Sequence, residues 1–156
     1  MVMFILVENY SMAKPIIKFI KTHPDAVLPT KAHADDTGYD ITAVEDVMIS
    51  AGGCAVVPIG LQVAFIEPGY WFKIEGRSGL GFKHSIFPHY GIIDENFRGN
   101  LDVKLYNYNR AINYHIKKGD RIAQLVIHSR INAYIEWAEK VTETDRGENG
   151  FGSSGK

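Results

Sequence analysis

The strongest candidate for catalysis is an acidic residue that directly follows a short apolar run. The run is Gly91-Ile92-Ile93, and Asp94 comes next. The two β-branched residues favour a strand, so Asp94 lies where a strand enters a partly buried environment. A carboxylate in that place can hold a water molecule and remove its proton, as a general base does. The alternative is structural, because Asp94 could instead cap the turn at Glu95-Asn96.

A glycine-rich segment, Gly76 to Gly81, has the composition of a phosphate-binding loop. Its three glycines allow backbone N–H groups to converge, and Arg77 and Ser78 add a positive charge and a hydroxyl. The segment is not a P-loop, because the Gly-Lys-Ser/Thr ending is absent. An ordinary turn with a surface arginine is the alternative. Further along the chain, Gln124 lies among apolar residues and needs a hydrogen-bond partner, which could be a ligand or the backbone.

Three carboxylates, Asp35, Asp36 and Asp40, lie within six residues of one another. Together they could gather a hard divalent cation, either directly or through water. Their spacing differs from that of an EF-hand loop. A solvated turn is the alternative interpretation of this segment.

The C-terminal tail, residues 146–156, combines glycines and serines with Arg146 and one aromatic residue, Phe151. These are the parts of a lid, in which the ring stacks on a base and the donors hold phosphates. A disordered tail with an accidental Phe is the alternative. We therefore divide the chain into an N-terminal extension (1–14), a β domain (15–145) and a mobile C-terminal arm (146–156). The first eleven residues are expected to be dispensable or loosely held.

Composition restricts the class of protein. The chain has 156 residues, a formal net charge of -1 and a single cysteine, Cys54. Near-neutral charge provides no overall field for nucleic acid, so we predict no stable nucleic-acid binding. One cysteine favours a reducing, cytoplasmic location, with the nucleus as the alternative for a eukaryotic or viral source. The apolar segment Met1–Val7 is too short to span a membrane, so no membrane partner is predicted.

Strands must position these groups, because short runs of alternating apolar and polar residues dominate the pattern. The runs 70–75 and 101–106 alternate, and the runs 55–66 and 122–127 have the composition of more deeply buried strands. Residues 133–141 could form a helix or a strand, and the surrounding strands favour a strand. No helix longer than a turn or two is expected. Many short strands separated by turns predict an all-β fold, either a sandwich, a barrel or a jelly roll.

Five of these segments together resemble the trimeric dUTPase family. The match spans residues 34–155, and the segments occur in the order typical of the family. They are Ala34–Ile41, Gly76–Gly81, Gly91–Gly99, Gly119–Leu125 and Arg146–Gly155. Each segment alone is a weak signal, but five in order at compatible spacing form a strong one. The resemblance implies one domain of the distorted jelly-roll, or β-clip, type with a flexible C-terminal arm.

The resemblance also implies an activity, the hydrolysis of dUTP to dUMP and pyrophosphate with Mg²⁺ as cofactor. The enzyme would be a homotrimer whose active sites each take segments one, two and four from one subunit, segment three from a neighbour and the arm from the third. Asp94 would act as the base, and Asp40 would reach the metal through water. The implied phosphate contacts are Arg77, Ser78, Gly79 and Gln124. Further implied substrate contacts are Pro88, Ile92, Ile93, Phe97, Asp102 and, in the arm, Arg146, Phe151, Gly152, Ser153 and Ser154.

Two positions depart from the family pattern. Phe97 stands where the family usually has Tyr, whose ring packs beneath the deoxyribose and leaves no room for a 2′-hydroxyl. Phe keeps the flat face, so we expect selection against ribonucleotides to persist. Pro88 precedes the segment whose backbone reads the uracil edge in the family, and it has no N–H to donate. The resemblance as a whole therefore predicts selection of uracil, but it does not assign that selection to individual residues.

Two other functions compete with this interpretation. The related dCTP deaminases share the fold and the pattern around Ile93-Asp94, but they place a catalytic Glu where this chain has Lys104. An ammonium group cannot serve as that carboxylate. The second alternative is a nucleotide-sensing or protein-binding module, which the complete set of candidate catalytic and phosphate-binding residues argues against.

Overall fold

The computed structural model describes residues 14–145 and 147–148, and eleven regular elements lie within this part of the chain. Ten are strands, and the one helix, α1, is seven residues long. In chain order they are β1 (Ile17–Lys21), β2 (Tyr39–Thr42), β3 (Val47–Ile49), β4 (Cys54–Ile66), β5 (Tyr70–Glu75), α1 (Ser78–His84), β6 (Ile86–Pro88), β7 (Gly91–Ile93), β8 (Asn100–Asn107), β9 (Tyr114–Ile116) and β10 (Arg121–Ser129).

The strands form two four-stranded sheets and a two-stranded ribbon. The first sheet has the order β1-β4-β8-β6, the second has the order β2-β10-β5-β7, and the ribbon pairs β3 with β9. Every one of these pairs is antiparallel. The prediction of an all-β chain is therefore confirmed. The alternation predicted for residues 101–106 is also present, because the inward side chains of β8 are buried at Leu101, Val103 and Leu105.

One hydrophobic core joins the two larger sheets. Phe72 of β5 is fully buried and packs edge-on against Phe19 of β1, with 6.3 Å between the ring centroids. Burying a side chain of this size stabilises the fold by about 1.5–3 kcal/mol. At Gly60 in β4 the backbone takes a φ of +68°, and a Cβ there would lie 2.6 Å from the Cβ of His23. This glycine therefore lets the segment after β1 pack closely on the long strand.

The strand predicted at Ala133–Val141 is wrong. Residues 130–144 contain no strand or helix in this structure, and their large apolar side chains are exposed. They are Ile131, Tyr134, Ile135, Trp137 and Val141. The physical reason is that a strand requires a hydrogen-bonding partner, and after β10 this segment pairs with no other strand among the described residues. The predicted domain boundaries at residues 15 and 145 stay predictions.

The helix α1 occupies the segment for which the sequence suggested a glycine-rich turn. Arg77 precedes it with an extended backbone, and Ser85 ends it in the left-handed region with a φ of 58°. Its seven residues agree with the expectation that no helix exceeds about two turns. Within the described residues, no helix has the length and apolar character needed to cross a membrane.

Candidate active site

Three of the predicted segments meet in one cleft, which we call the Arg77 cleft. It has a volume of about 310 Å³ and brings together the loop before β2, the start of α1 and the middle of β10. Its lining residues are Ala32, Asp36, Thr37, Gly38, Asp40, Arg77, Ser78, Gly79 and Gln124. All four predicted phosphate contacts and two of the three clustered carboxylates are in this set. Asp35 lies outside it and is exposed.

The sheet register places the polar groups of the cleft side by side. Gln124 lies on β10, where its cross-strand neighbours are Asp40 on β2 and Glu75 on β5. Directly opposed residues of an antiparallel pair have their Cβ atoms about 4.5–5.5 Å apart, so their side chains interact. Antiparallel pairing thus brings positions 40, 75 and 124 into one row, and Gly76, Arg77 and Ser78 follow directly from the end of β5.

Arg77 is held by two fixed partners. Its Nε donates to Oδ1 of Asp40 at 2.9 Å, and its Nη1 donates to the carbonyl oxygen of Arg121 at 3.0 Å. A guanidinium carries five N–H donors, of which these contacts use two. The arginine is therefore oriented while keeping further donors for an anion in the cleft.

Asp40 links Arg77 to a second arginine. Its Oδ2 accepts a hydrogen bond from Nη1 of Arg121 at 3.0 Å, and only 15% of its side chain is exposed. Both carboxylate oxygens are thus bonded to guanidinium groups. Sequence reasoning did not single out Arg121, because its partner is 81 positions away and only the register of β2 on β10 brings them together.

Gln124 is oriented by the backbone of the second segment. Its Nε2 donates to the carbonyl oxygen of Gly76 at 2.7 Å, which satisfies one of the two amide hydrogens. Gly38 makes room for this side chain, since a Cβ at that position would lie 1.9 Å from Oε1 of Gln124. The predicted need of Gln124 for a partner is met by the backbone, and its position in the cleft leaves the second amide hydrogen available to a ligand.

Ser78 and Gly79 form the exposed beginning of α1. A Cβ added at Gly79 would meet no atom within 4 Å, so this residue faces open space. Asp36, on the opposite side of the cleft, accepts a hydrogen bond at 2.8 Å from the backbone N–H of His33. That bond is the largest cause of a pKa for Asp36 below its usual value, so the carboxylate stays ionised.

Asp94 lies in a different cavity, which we call the Asp94 cavity. It has a volume of about 630 Å³, and its lining residues are Tyr70, Trp71, Ile92, Asp94, Glu95, Asn96 and Arg130. The two cavities share no lining residue. Asp94 follows β7, which pairs with the far side of β5, and its side chain is exposed. Within one chain, the candidate base is therefore separated from the candidate phosphate-binding groups.

The remaining predicted contacts differ in how deeply they are buried. Ile92 is exposed and lines the Asp94 cavity, whereas Ile93 is half-buried against the core. Phe97 is 37% exposed, and its ring covers Gly99, where a Cβ would lie 2.5 Å from the ring Cζ. Asp102 is exposed on the outer side of β8.

Pro88 is buried at the end of β6, where its ring packs against Gly76. The next residue, His89, donates its backbone N–H to the carbonyl oxygen of Lys104 at 2.7 Å. Neither residue therefore offers a free backbone donor. The five predicted arm contacts lie outside the described residues, namely Arg146, Phe151, Gly152, Ser153 and Ser154.

Beside the Arg77 cleft, Tyr114 lines a cavity of about 290 Å³ together with Arg77 and Asp120. Burial, followed by the negative charge of Asp120, raises the pKa of Tyr114 above its usual value. The phenol therefore remains neutral. Its ring lies 5.0 Å from that of His84, at the last residue of α1. This contact supports the end of the helix opposite Ser78.

Comparisons with known proteins agree with this architecture. The family model described as dUTPase matches residues 25–155. A curated relative from Solibacter usitatus, named deoxyuridine 5′-triphosphate nucleotidohydrolase, is 42% identical, covering 90% of this chain and 96% of its own. A relative of the same name from Oryza sativa subsp. japonica is 39% identical, covering 90% and 81%.

The fold also has solved counterparts. A single-residue mutant of the dUTPase from Staphylococcus bacteriophage 80alpha, solved with dUpNHpp, superposes with a TM-score of 0.81 at 28% identity. The alignment covers 90% of this chain and 99% of the phage chain. The prediction of a jelly-roll, β-clip type of domain is confirmed by this likeness, as is the resemblance stated from the five segments. The chain is an enzyme of the dUTPase family, a dUTP diphosphatase.

Proposed function

We propose that this chain hydrolyses dUTP by attack of a water molecule, deprotonated by Asp94, on the α-phosphorus, in a site shared between copies of the chain. The observation that carries the proposal is the Arg77 cleft, where an oriented guanidinium, a hydroxyl and a side-chain amide converge. These groups are donors suited to the oxygens of a triphosphate. The wider consequence would be less uracil entering DNA and a supply of dUMP for the synthesis of dTMP.

Arg77, Ser78, Gly79 and Gln124 would hold the phosphate chain. A triphosphate resists attack by a nucleophile because its own negative charge repels it, and fixed donors reduce that repulsion. Asp40 contributes by holding Arg77 in place at 2.9 Å. Removing one preorganised donor of this kind typically lowers kcat by about 10²–10³-fold.

Asp94 would complete the reaction. Its carboxylate takes one proton from the water, the water oxygen forms a bond to the α-phosphorus, and the bond from that phosphorus to the bridging oxygen breaks. Pyrophosphate leaves with the electron pair, so no covalent intermediate with the protein is required. A base must lie within hydrogen-bond reach of the water. Since Asp94 and Arg77 line separate cavities in one chain, a second copy is needed to bring them together.

The exposed apolar segment after β10 supports an oligomer. Five large apolar side chains in residues 131–141 are between 86% and 103% exposed. Each would contribute about 1.5–3 kcal/mol if another copy buried it. We propose a homotrimer, the state that the family resemblance implies, in which this segment leads the arm to another subunit. The five predicted arm contacts, from Arg146 to Ser154, would then close over the nucleotide and exclude bulk water.

Mg²⁺ fits this cleft as an ion carried by the substrate. Among the described residues, no group of three His, Cys, Asp or Glu side chains is placed to hold a metal. Both oxygens of Asp40 are already bonded to arginines, so this carboxylate suits a water-mediated contact. Mg²⁺ usually keeps several waters and binds through one or two carboxylates plus substrate phosphates. When bound it would neutralise phosphate charge, and Asp40 and Asp36 are the residues that would face its hydration shell.

Selection of the nucleoside would depend on the segment around Asp94. The ring of Phe97, fixed over Gly99, offers a flat surface for a deoxyribose. Pro88 has no backbone N–H, and the N–H of His89 is bonded to Lys104, so Tyr90 and Gly91 carry the next backbone N–H groups along the chain. We propose that uracil is read there, between the ends of β6 and β7.

A substrate panel tests the proposal. Pyrophosphate release is measured with dUTP, dTTP, dCTP and UTP, each with and without Mg²⁺, for the wild type and for Asp94→Asn. We expect release from dUTP with Mg²⁺ and loss of most of kcat in the variant while nucleotide binding persists. Ammonia released from dCTP would instead identify a deaminase. That outcome is disfavoured because Lys104 stands over the Tyr106 ring, 5.3 Å from its centroid, where a deaminase needs a carboxylate.

A further inference from the structure

We infer that Glu95 is a positioning residue for Asp94, acting through a closed ring of contacts with Gly69 and Arg130. The inference rests on the proposed role of Asp94 as the base. It assigns a task to three residues that lie outside the phosphate-binding groups. The ring joins the loop that carries Asp94 to the turn between β4 and β5 and to the first residue after β10.

Three short contacts close the ring. The backbone N–H of Gly69 donates to Oε2 of Glu95 at 2.8 Å, and Nη1 of Arg130 approaches the same oxygen at 2.8 Å. The backbone N–H of Arg130 then donates to the carbonyl oxygen of Gly69 at 2.7 Å. Each residue thus contacts both of the others. Glu95 is the least exposed charged member, with 26% of its side chain accessible against 50% for Arg130.

The turn that receives Glu95 is itself fixed. Gly69 has a φ of +89°, in the left-handed region that glycine enters without steric cost. The residue after it, Tyr70, donates its backbone N–H to the carbonyl oxygen of Glu67 at 3.1 Å. The direction of the Gly69 N–H is therefore fixed, and the carboxylate of Glu95 accepts its hydrogen bond.

The Asp94 loop depends on such anchors because its strand has already ended. β7 stops at Ile93, so no ladder hydrogen bond holds the residues that follow. On the far side of the loop, Nη1 of Arg98 donates to the carbonyl oxygens of Glu95 and Phe97 at 2.8 and 2.7 Å. Glu95 is the side-chain anchor on the near side, one residue from the proposed base.

Breaking this ring of contacts is expected to slow the chemical step. Half-exposed ion pairs contribute little to folding stability. Misplacing a catalytic group by about 1 Å, in contrast, can lower the rate by about 10²-fold. Loss of the ring should therefore lower kcat, while the phosphate contacts of the Arg77 cleft, which lie outside the ring, are retained.

The test compares Glu95→Ala, Glu95→Gln, Arg130→Met and the double variant Glu95→Ala/Arg130→Met. We expect Glu95→Ala to lower kcat by about 10–100-fold with KM within about twofold of wild type. Glu95→Gln should recover most of that loss, because its amide oxygen can still accept from Gly69. Arg130→Met should lower kcat less than Glu95→Ala, and the double variant should be no worse than Glu95→Ala alone, since both changes break one ring.

The control is Lys117→Met, which removes an ion pair of 2.9 Å with Asp46 on the surface and should leave kcat unchanged. The inference is overturned if Glu95→Ala keeps kcat within twofold of wild type, or if the losses of the two single variants multiply. Should Glu95→Ala fail to fold, Arg130→Met decides the matter: a lower kcat with an unchanged KM supports the ring, and a kcat within twofold of wild type overturns the inference. Full activity in Asp94→Asn would refute the proposed function itself, independently of the ring.

Discussion

Replacing Gly38 by alanine should displace Gln124 and inactivate the Arg77 cleft without changing any charged group. The added Cβ would lie 1.9 Å from Oε1 and 2.7 Å from Cδ of Gln124. Contacts of a Cβ below 3.0 Å essentially never occur, so Oε1 must withdraw by at least 1.1 Å, the difference between 3.0 and 1.9 Å. Gly38 has no positive φ, so backbone strain does not contribute.

The displacement has two consequences that can be measured. The 2.7 Å bond from Gln124 to the Gly76 carbonyl would be lost or distorted, at a cost of about 1–3 kcal/mol in stability for a part-buried group left unpaired. A shift of about 1 Å in a substrate-binding group lowers turnover by about 10²-fold. We therefore expect kcat/KM for dUTP to fall by that order, with a Tm lowered by several degrees.

Gln124→Ala provides the matched control, because all three atoms nearest the added Cβ belong to Gln124. The double variant Gly38→Ala/Gln124→Ala should be no less active than Gln124→Ala alone. The reasoning is refuted if Gly38→Ala retains kcat/KM within twofold of wild type, or if the two losses multiply in the double variant.

Three further predictions concern charge and the arm. Arg77→Met should lower kcat/KM by about 10²–10³-fold in steady-state kinetics. Arg77→Lys should not restore it, because one ammonium cannot contact Asp40, the Arg121 carbonyl and a phosphate in the same geometry. The hydrogen bond from Lys117 holds the pKa of Asp46 below its usual value, so the stabilising effect of this carboxylate is present above about pH 4 and is lost as the pH falls through that lowered pKa. The Tm difference between wild type and Asp46→Asn should therefore be largest near neutral pH and shrink as the pH is lowered, which thermal melts at a series of pH values would show. Deleting residues 146–156 should impair turnover and leave the proposed trimer intact, and sedimentation showing monomers for the truncated chain alone would contradict this.

The strands of the core were predictable because their pattern depends only on residues within each strand. The buried runs at 55–66 and 122–127 correspond to β4 and β10, and the alternating run at 101–106 lies in β8. Their register was not predictable, since it depends on turns and bulges. Without the register, the meeting of Asp40 with Arg77 and Arg121 could not be foreseen.

The failed prediction has a related cause. Residues 133–141 carry the apolar pattern of a strand, but their large apolar side chains are exposed, and no strand within residues 14–145 pairs with them. An apolar pattern indicates that a segment packs against another surface, but it does not locate that surface. The role of Gly38 was hidden for a similar reason, because only the position of Gln124 on a neighbouring strand makes a side chain at 38 too large.

The proposed site takes Asp94 from one copy and Arg77 from another, and subunit mixing tests this arrangement most directly. Asp94→Asn and Arg77→Ala, each inactive alone, are unfolded together in equal amounts and refolded. A site is intact when the copy that supplies Arg77 is the Asp94→Asn variant and the copy that supplies Asp94 is the Arg77→Ala variant. Random assembly gives this combination in about one site out of four, so the mixture should recover about a quarter of wild-type activity. A mixture as inactive as its two components would show that one chain supplies both residues, and would contradict the account.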